Sequence, residues 1–346
     1  MHGYGEDMGE SNPRRKRATV HDVAMAAGVS RGTVSRVVNG ERYVSDGART
    51  AIEKAIVEVG YVPNTAARSL VMQRTQAVAF IVHEPDRLFV EDPNIGEILL
   101  GANTALSDAD YQMVSLVVDS EKDTARVARY LQGGFADGAV IVSARQDDPI
   151  TRVVERLDLP TAFVGHPPGV TAAWVGIDNH GSARAISERL LATGRSRIAM
   201  IAAALDRDSG VDRLAGFREA LGDRFDPALV EPISHYSYTE GAAAMRALLE
   251  RAPDVDGVFA ASDAVAAGAL ETLRELGRRV PEDVGLVGFD DSAWARRCQP
   301  ALSTVHQPAG GLGRAAAESV LAQIRGELPE LGGILLESPV VWRESA

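Results

Sequence analysis

The chain has 346 residues, a formal net charge of −12, and 45% hydrophobic and 24% charged residues. This length predicts two or three compact units, and the composition is typical of folded proteins and excludes extensive disorder. The single cysteine, Cys298, excludes an internal disulfide, and no Cys/His cluster has metal-ligand spacing. We therefore expect a reduced cytoplasmic protein that holds neither a metal nor another cofactor.

The N-terminus is polar and contains the basic run Arg14–Arg17. It lacks the apolar stretch of roughly 7–15 residues that a secretory signal needs. No segment of the chain reaches the roughly 18 apolar residues of a membrane-spanning helix. We predict a flexible basic tail over residues 1–17 and no membrane as a partner.

Charge is distributed unevenly along the chain. The segment from Ser11 to Gln76 has eleven basic and five acidic residues, a net charge of +6, whereas residues 77–346 carry a net charge of −15. A basic segment attached to an acidic body predicts that only the N-terminal part approaches nucleic-acid phosphates.

Start and stop signals for short helices follow one another in the basic segment. Thr19 with Asp22 predicts a capped start for a first helix, and Gly28 predicts its end. Ser30 suits the N-cap of a second helix, which Asn39-Gly40 would end. Apolar residues recur at helical spacing in both segments, so we expect each helix to bury one face.

A third helix is predicted to begin at Ser45 or Asp46, since either residue suits the cap, and to end at Gly60. The three helices together predict a small shared core. A further helical piece begins at Asn64 and is too short to be stable alone in water. Its order must come from a partner.

From Gln76 onward, apolar strand-like runs alternate with amphipathic helical stretches. Near-continuous apolar strands in such an alternation predict parallel sheets that helices cover on both faces, and the number of strands indicates two sheets. The predicted strands are residues 77–82, 112–118, 138–142, 161–164, 197–202, 257–261 and 284–287. The predicted helices are residues 95–107, 124–131, 180–193, 214–221, 239–251, 263–276 and 313–325.

The segment from Thr19 to Asn39 closely resembles the N-terminal helix-turn-helix of the LacI (lactose repressor) family. The likeness continues through Val44-Ser45, Gly60-Tyr61 and Pro63-Asn64 to Leu70. In the C-terminal part the matching segments are Asp178-Asn179, Arg213-Leu214-Ala215-Gly216-Phe217, Ser262-Asp263 and Val287-Gly288-Phe289-Asp290-Asp291.

This resemblance implies an all-α helix-turn-helix DNA-binding domain followed by an α/β domain. The first would span residues 18–63, and a hinge helix with its linker would span residues 64–75. Residues 76–346 would form a bilobed effector-binding and dimerisation domain like the periplasmic sugar-binding proteins, with two doubly wound parallel-sheet lobes. Lobe 1 would hold about residues 76–178 and 308–331, and lobe 2 about residues 179–307 and 332–346.

The resemblance places the second helix in the major groove, with its N-terminal side chains on base edges. Arg31 and Gly32 occupy the positions that resemble the family's specificity pair, and Arg36 lies about one turn further along. Arginine suits guanine, whereas Gly32 offers no side chain. Without the full motif, such arginines would only solvate a helix. The remaining candidates for DNA contact in this domain are Thr19, Ser30, Thr33, Ser35 and Asn39.

Residues 64–72 resemble the hinge helix that the family places in the minor groove, where a leucine wedge opens a base step. Leu70 is the wedge candidate, Arg68 would face phosphates, and Asn64 and Ala67 complete the predicted set. An isolated leucine on a helix is more often a core residue. This piece, however, is too short and polar to bury much by itself.

The effector would sit between the lobes at the carboxyl ends of strands. The resemblance implies that Arg213 and Asp290 bind ligand hydroxyls, that Tyr236 stacks on a sugar face and that Gln307 lies between the lobes. Ser143, after a first-lobe strand, is a further candidate. The alternative is a helix-terminal charge for Arg213 and Asp290 and a surface position for Tyr236.

One departure from the family pattern limits what the resemblance implies. Many members carry paired aromatics where this chain has Asp92-Pro93-Asn94-Ile95, so no particular sugar follows. Asp178 and Asp263 precede helical patterns and suit helix N-caps as well as ligand contacts. Further candidates, which an ordinary solvated loop explains equally well, are His83, Glu84, Phe89 and His166.

An enzyme and a transport-associated binding protein are the rival functions. Gly310-Gly311-Leu312-Gly313 is no complete GxGxxG motif and has no strand directly before it, so it is a weak nucleotide-binding signal. A transport protein would use the same cleft but would have no use for the attached DNA-binding segment. We therefore expect a transcription regulator rather than an enzyme.

The predicted regulator is a cytoplasmic, nucleoid-associated homodimer that binds a palindromic double-stranded operator, because a single helix-turn-helix contacts only a half-site. We expect a repressor of carbohydrate-utilisation genes whose effector is a sugar or oligosaccharide, with a nucleobase-type ligand as the main rival. Whether the effector releases or tightens operator binding stays open. A dimer is favoured over a tetramer because no heptad repeat follows the last helix.

Overall fold

A computed structural model of the chain describes residues 18–38, 43–61, 74–84, 92–327 and 333–346. The chain divides into two compact units, and the boundary along the sequence lies between Thr75 and Gln76. None of the described helices is both long enough and apolar enough to span a membrane. The predicted tail, residues 1–17, and residues 64–73 of the predicted hinge lie outside the described residues.

The N-terminal unit has three described helices, α1 (Val20–Ala27), α2 (Arg31–Val38) and α3 (Asp46–Val59). One face of each helix packs on a small core, as their apolar spacing predicts. The core consists of Val23, Ala24, Val34, Val37, Ile52, Ala55 and Tyr61. Fully burying a valine or isoleucine contributes roughly 1.5–3 kcal/mol, so these few side chains fix the relative angle of the helices.

The predicted caps of these helices are confirmed. The Asp22 carboxylate accepts hydrogen bonds from the backbone N–H and the hydroxyl of Thr19, each at 2.8 Å. The Ser30 hydroxyl accepts the Thr33 N–H at 3.1 Å, and Ser45 caps α3 in the same way. Helix α1 ends at Gly28, whose φ of 67° is the left-handed conformation that glycine adopts most easily.

The larger unit alternates strands and helices over its described residues. The strands are β1 (Ala77–Val82), β2 (Gln112–Val117), β3 (Gly138–Val142), β4 (Thr161–Val164), β5 (Ala173–Ile177), β6 (Ile198–Ala203), β7 (Val230–Ile233), β8 (Gly257–Ala260), β9 (Gly285–Val287), β10 (Thr304–Val305), β11 (Ile334–Leu336) and β12 (Val340–Val341). The helices are α4 (Pro93–Asp108), α5 (Glu121–Gln132), α6 (Pro149–Arg156), α7 (Asn179–Leu191), α8 (Asp208–Leu221), α9 (Tyr238–Arg251), α10 (Asp263–Glu275), α11 (Ala293–Arg297) and α12 (Ala309–Ile324).

Two parallel sheets form the two lobes, as predicted. The first has the strand order β11-β5-β4-β3-β1-β2 and the second has the order β7-β6-β8-β9. In the first sheet Phe80 lies opposite Ser115 on one side and Val140 on the other. Strand β12, near the C-terminus, forms a separate antiparallel pair with β10.

Helices cover both faces of each sheet. Successive side chains of a strand point to opposite faces, so Phe80 packs in one core and its neighbour Ile81 in another. The Phe80 core extends through both lobes and includes Ile186 and Phe217. Helices α4 and α12 cross so closely within it that a Cβ on Gly313 would overlap the Ile98 carbonyl oxygen.

The C-terminal segment corrects one predicted boundary. Residues 332–346 were expected in lobe 2, but β11 pairs with β5 and extends the sheet of lobe 1. The chain therefore crosses between the lobes after Leu336, and the remaining residues return to lobe 2, where β12 pairs with β10. Strand β11 has no buried residue and lies at the sheet edge, and its apolar run of three residues is too short to have indicated a strand.

Candidate functional site

A cavity of about 100 Å³ lies between the lobes, beside the carboxyl ends of the parallel strands. This is the position at which doubly wound sheets bind ligands. All the side chains predicted for the effector line this one cavity, and they are Ser143, Arg213, Tyr236, Asp290 and Gln307.

Arg213 is the central group of the cavity wall. It lies on α8 and its side chain is only 4% exposed. Its Nε donates to the Asn179 Oδ1 at 2.9 Å, its Nη1 to the Ala261 carbonyl oxygen at 2.7 Å, and its Nη2 to the Gln307 Oε1 at 3.4 Å. The guanidinium also lies 3.7 Å from the centre of the Phe289 ring. A buried charge is tolerated here because each of its nitrogens has a partner.

Asp290 faces Arg213 from the loop after β9. Its Oδ1 lies 3.6 Å from the Arg213 Nη1, and burial raises the pKa of Asp290 well above its usual value, with Arg213 opposing that rise. The φ of Asp290 is 111°, a region that is strained for a residue with a Cβ. Backbone hydrogen bonds to Val305 and Gln307, at 2.9 and 3.0 Å, hold it there.

The loop that carries Asp290 rests on Asp263. The Asp263 carboxylate, which has no exposed surface, accepts the Ser292 N–H and the Thr304 hydroxyl, each at 2.7 Å. Asp263 is the first residue of α10, and the N-cap of that helix is Ser262. Asp263 therefore has a positioning role behind the cavity. The alternative of an N-cap is correct for Asp178, which accepts the Gly181 N–H at 2.7 Å.

Tyr236 lines the cavity from lobe 2, and Ser143 lines it from lobe 1. The Tyr236 hydroxyl lies 3.0 Å from the Ser209 Oγ, and burial raises the pKa of this phenol. The ring leans toward Arg213, whose guanidinium carbon is 5.4 Å from the ring centre. Ser143 follows β3 with a φ of 59°. An aromatic face beside an arginine and a carboxylate suits a sugar, which has apolar faces and polar edges.

Besides the five predicted effector contacts, the cavity contains other polar residues, of which only Glu84 was among the weaker candidates from the sequence. They are Glu84, Asp92, Asn94, Asn179, Arg207, Asp208 and Ser209. Glu84 and Asn179 lie two residues after a strand and the other five lie at the N-termini of α4 and α8, so listing the polar residues at these positions would have found them. Burial raises the pKa of Asp92 to about 6. Asp92 also caps α4 by accepting the Asn94 N–H at 2.9 Å, which gives the departure from the family's aromatic pair a structural role.

Contacts between the lobes close the mouth of the cavity. Arg207 of lobe 2 pairs with Glu84 of lobe 1, and its Nη2 lies 3.3 Å from the His83 carbonyl oxygen. The His166 N–H donates to the Asp208 carboxylate at 2.5 Å. Among the weaker sequence candidates, Glu84 thus lines the cavity, whereas His83 is buried beside Asp148 and Phe89 lies outside the described residues.

The DNA-binding candidates of the first unit share the exposed side of α2. Arg31, Gly32, Ser35 and Arg36 are exposed, opposite the buried Val34 and Val37. Arg31 and Ser35 are four residues apart, and so are Gly32 and Arg36, so the four form two adjacent rows on one exposed strip of the helix. Thr19 and Ser30 cap α1 and α2, and the Thr33 hydroxyl lies 2.9 Å from that of Ser30. Asn39, Asn64, Ala67, Arg68 and Leu70 lie outside the described residues, so their predicted contacts stay predictions.

Comparison with known families and proteins identifies the combination of a three-helix N-terminal unit with a two-lobed α/β unit. The family of bacterial regulatory proteins named for lacI matches residues 19–64, and a periplasmic binding protein-like domain matches residues 187–346. The transcriptional regulator CelR of Thermobifida fusca is 44% identical over 338 residues, which cover 96% of this chain and 99% of CelR. The chain belongs to the LacI family. The ribose operon repressor of Escherichia coli K12, another similar protein, is 30% identical over 89% of this chain and 93% of that protein.

Solved structures of LacI-family proteins have the same fold. A complex of the transcriptional regulator CelR with cellobiose is 42% identical, has a TM-score of 0.76, and the match covers 95% of this chain and 100% of that one. The lac repressor dimer bound to operator and an anti-inducer is 25% identical, has a TM-score of 0.85, and the match covers 95% of this chain and 99% of that one. Both matches include a helix-turn-helix domain and a bilobed domain.

The buried Asp263 predicts a specific pH dependence of stability. Burial raises the pKa of Asp263 to about 7, so the folded protein binds this proton more tightly than the unfolded chain does. The stability that this carboxyl contributes is present below the unfolded pKa of about 4 and is lost as the pH rises through about 7. Asp263→Asn keeps the size of the side chain and carries no charge. We expect the difference in melting temperature, variant minus unaltered protein, to be higher at pH 8 than at pH 5 by about 2 °C or more.

Thermal unfolding across that pH range tests this prediction, with Asp254→Asn as the matched control. Asp254 is 68% exposed on its side chain and pairs with Arg197 at the surface. A constant difference between Asp263→Asn and the unaltered protein from pH 5 to pH 8 would contradict the prediction.

Proposed function

We propose that this protein is a DNA-binding transcription regulator whose affinity for its operator is set by cellobiose or a closely related neutral saccharide in the cleft between its lobes. The observation that carries the proposal is the convergence of Arg213, Asp290 and Tyr236 on one cavity. The high identity to CelR, whose structure was determined with cellobiose, supports this choice of sugar.

The size of the cavity bears on how the ligand enters. Ligand pockets usually measure about 300–1,000 Å³, and the space between the lobes is about 100 Å³. A disaccharide therefore requires the lobes to move apart. Binding of this kind favours one angle between the lobes over another, which is what an effector must do to shift a conformational equilibrium.

The DNA-binding part of the proposal rests on the exposed strip of α2. Arg31 and Arg36 would contact guanine edges, and Gly32 would leave one position of each half-site unspecified. A dimer bound to a palindromic operator would place two such helices in successive major grooves. Residues 64–75 would form the hinge that links the two units. A repressor of genes for saccharide use is the form of regulation that we propose.

We assign no catalytic role and place the protein in the cytoplasm, where operator DNA lies. The similar proteins are transcription regulators. Within the described residues, no group of three or more His, Cys, Asp or Glu side chains is arranged to hold a metal ion. The guanidinium groups of Arg207 and Arg213 are already engaged by protein groups, which suits binding of a neutral molecule rather than an anion.

Isothermal titration calorimetry of the unaltered protein with cellobiose, ribose and hypoxanthine tests the effector. We expect cellobiose alone to bind. Tyr236→Ala should weaken cellobiose binding about tenfold or more because it removes the aromatic face that a pyranose packs on. Tyr236→Phe is the matched control, since it keeps the ring and loses only the hydroxyl near Ser209, and it should stay within about threefold of the unaltered protein. Equal losses in both variants would remove the stacking role.

The DNA-binding role is tested by Arg31→Ala on an operator that the unaltered protein selects from random duplexes. We expect the variant to lose its preference at one base pair of each half-site, at a cost of about 1–3 kcal/mol for the preferred base, and to keep its preference elsewhere. Competition binding against every single-base variant of that operator measures this. Lys54→Ala, which removes an exposed charge from α3, is the control for general loss of phosphate attraction. A uniform loss over all sequences in Arg31→Ala would mean that Arg31 contacts only phosphate.

A further inference from the structure

Glu84 lines the cavity and has a buried carboxylate oxygen that no described residue satisfies. The residue is buried, with 4% of its surface exposed, and it follows β1 in lobe 1. Its Oε1 accepts a hydrogen bond from the Arg207 Nη1, whereas its Oε2 has no hydrogen-bond partner within the described part of the chain. Buried polar atoms without partners are rare in native proteins because desolvation is costly. A donor on a bound molecule would remove that cost.

Arg207 holds Glu84 in this position. It precedes α8 in lobe 2, and its side chain, 4% exposed, reaches across to lobe 1. Its Nη2 donates to the His83 carbonyl oxygen at 3.3 Å, and its Nε lies 3.7 Å from the Asp206 Oδ1. The guanidinium thus contacts Glu84 on one side and the His83 carbonyl oxygen on another, while its Nε has no hydrogen-bond partner within the described residues. It orients the carboxylate and leaves the second oxygen available.

The charges of the cavity define the ligands that this oxygen can accept. Four carboxylates line the cavity, those of Glu84, Asp92, Asp208 and Asp290, against the two guanidinium groups of Arg207 and Arg213. Both arginines are already engaged by protein groups. Burial lowers the pKa of the neighbouring His83, so its ring adds no positive charge near neutral pH. Burial raises the pKa of Asp92 and of Asp290 and so favours their neutral forms, which leaves the Glu84 carboxylate as the group that chiefly opposes an anionic ligand, whereas a hydroxyl group can donate to its free oxygen.

We propose that Glu84 is a ligand-binding residue that selects neutral polyhydroxylated ligands over anionic ones, and that Arg207 is its positioning residue. The Glu84 Oε2 accepts a hydrogen bond from a ligand hydroxyl while the Oε1 keeps the pair with Arg207. The two residues come from opposite lobes, so a ligand that contacts Glu84 also contacts the ion pair that joins the lobes. The inference rests on the proposed function, because it needs a saccharide in this cleft.

Calorimetry on the full-length protein tests the inference with cellobiose and with cellobionate, whose reducing-end ring is opened to a chain that ends in a carboxylate; cellobiitol, the neutral open-chain counterpart, controls for the loss of that ring. We expect the unaltered protein to bind cellobiose at least about tenfold more tightly than cellobionate. Glu84→Gln should bind cellobiose about tenfold more weakly, because a charge-assisted hydrogen bond becomes a neutral one. The same variant should narrow the preference for cellobiose over cellobionate to about threefold or less, since it removes one negative charge from the cavity.

Two further variants separate ligand contact from structure. Asp206→Asn removes a half-exposed charge that lies 3.7 Å from the Arg207 Nε, beyond hydrogen-bond distance, and it alters no residue of the cavity lining. It should bind both probes like the unaltered protein. Glu84→Asp keeps the charge and shortens the side chain, so it should lose affinity for cellobiose and keep the preference over cellobionate. Thermal unfolding and operator binding verify that each variant is folded.

Cellobiose binding by the unaltered protein is measured first. Its absence would contradict the proposed effector, and the Glu84 inference would fail with it. If cellobiose binds, unchanged affinity and preference in Glu84→Gln would overturn the role of Glu84 alone. Equal losses in Glu84→Gln and Asp206→Asn would also overturn it, because they would show an effect of the contacts between the lobes rather than of a ligand contact.

Discussion

The buried guanidinium of Arg213 is the interaction on which the cleft depends. Its three partners are Asn179, Ala261 and Gln307. Asn179 is the first residue of α7 and follows the first crossing between the lobes. Ala261 follows β8, and Gln307 precedes α12 near the second crossing. One charged group therefore joins two of the three connections between the lobes to the sheet of lobe 2. Removing such a group from water is costly, so the arrangement is stable only while all these partners stay in place. A ligand that contacts Arg213 thus contacts the elements that set the angle between the lobes.

The mouth of the cleft contains a second set of contacts that also respond to that angle. The Glu84–Arg207 pair, the hydrogen bond from the Gln146 N–H to the Asp206 carbonyl oxygen at 2.9 Å and that from His166 to Asp208 all join opposite lobes. These contacts close a cavity that is smaller than a disaccharide requires. Ligand entry must break some of them. The free energy of binding is thereby coupled to the geometry of the larger unit, which is the physical requirement for an effector.

Sequence patterns predicted the parts of the structure whose signal is local. The caps at Thr19, Ser30 and Ser45 and the central strands follow from side-chain hydrogen bonds and continuous apolar runs. The missed strands include β5, which lies inside the first sheet and is interrupted by Gly176, and the short edge strands β7 and β11. Strand β7 contains Pro232, which only a sheet edge accommodates, and β11 is exposed.

For the candidate site too, the sequence indicated some residues and left others unrecognised. The resemblance to the LacI family placed Arg213, Tyr236, Asp290 and Gln307, the position after a strand placed Ser143, and all five line the cavity. Arg207 and the free oxygen of Glu84 depend on a contact between residues 123 positions apart, which no local pattern encodes. Asp92 shows the same limit, because its elevated pKa arises from burial in the folded protein.

The central claim is that a saccharide in the cleft and DNA on α2 are energetically coupled, and coupling of this kind is reciprocal. The most direct measurement is a fluorescence anisotropy titration of the selected operator with and without saturating cellobiose, paired with calorimetry of cellobiose with and without operator. The account predicts that cellobiose changes the operator Kd by a factor of about 5–150 and that operator changes the cellobiose Kd by the same factor. Tight binding of cellobiose with an unchanged operator Kd would contradict it.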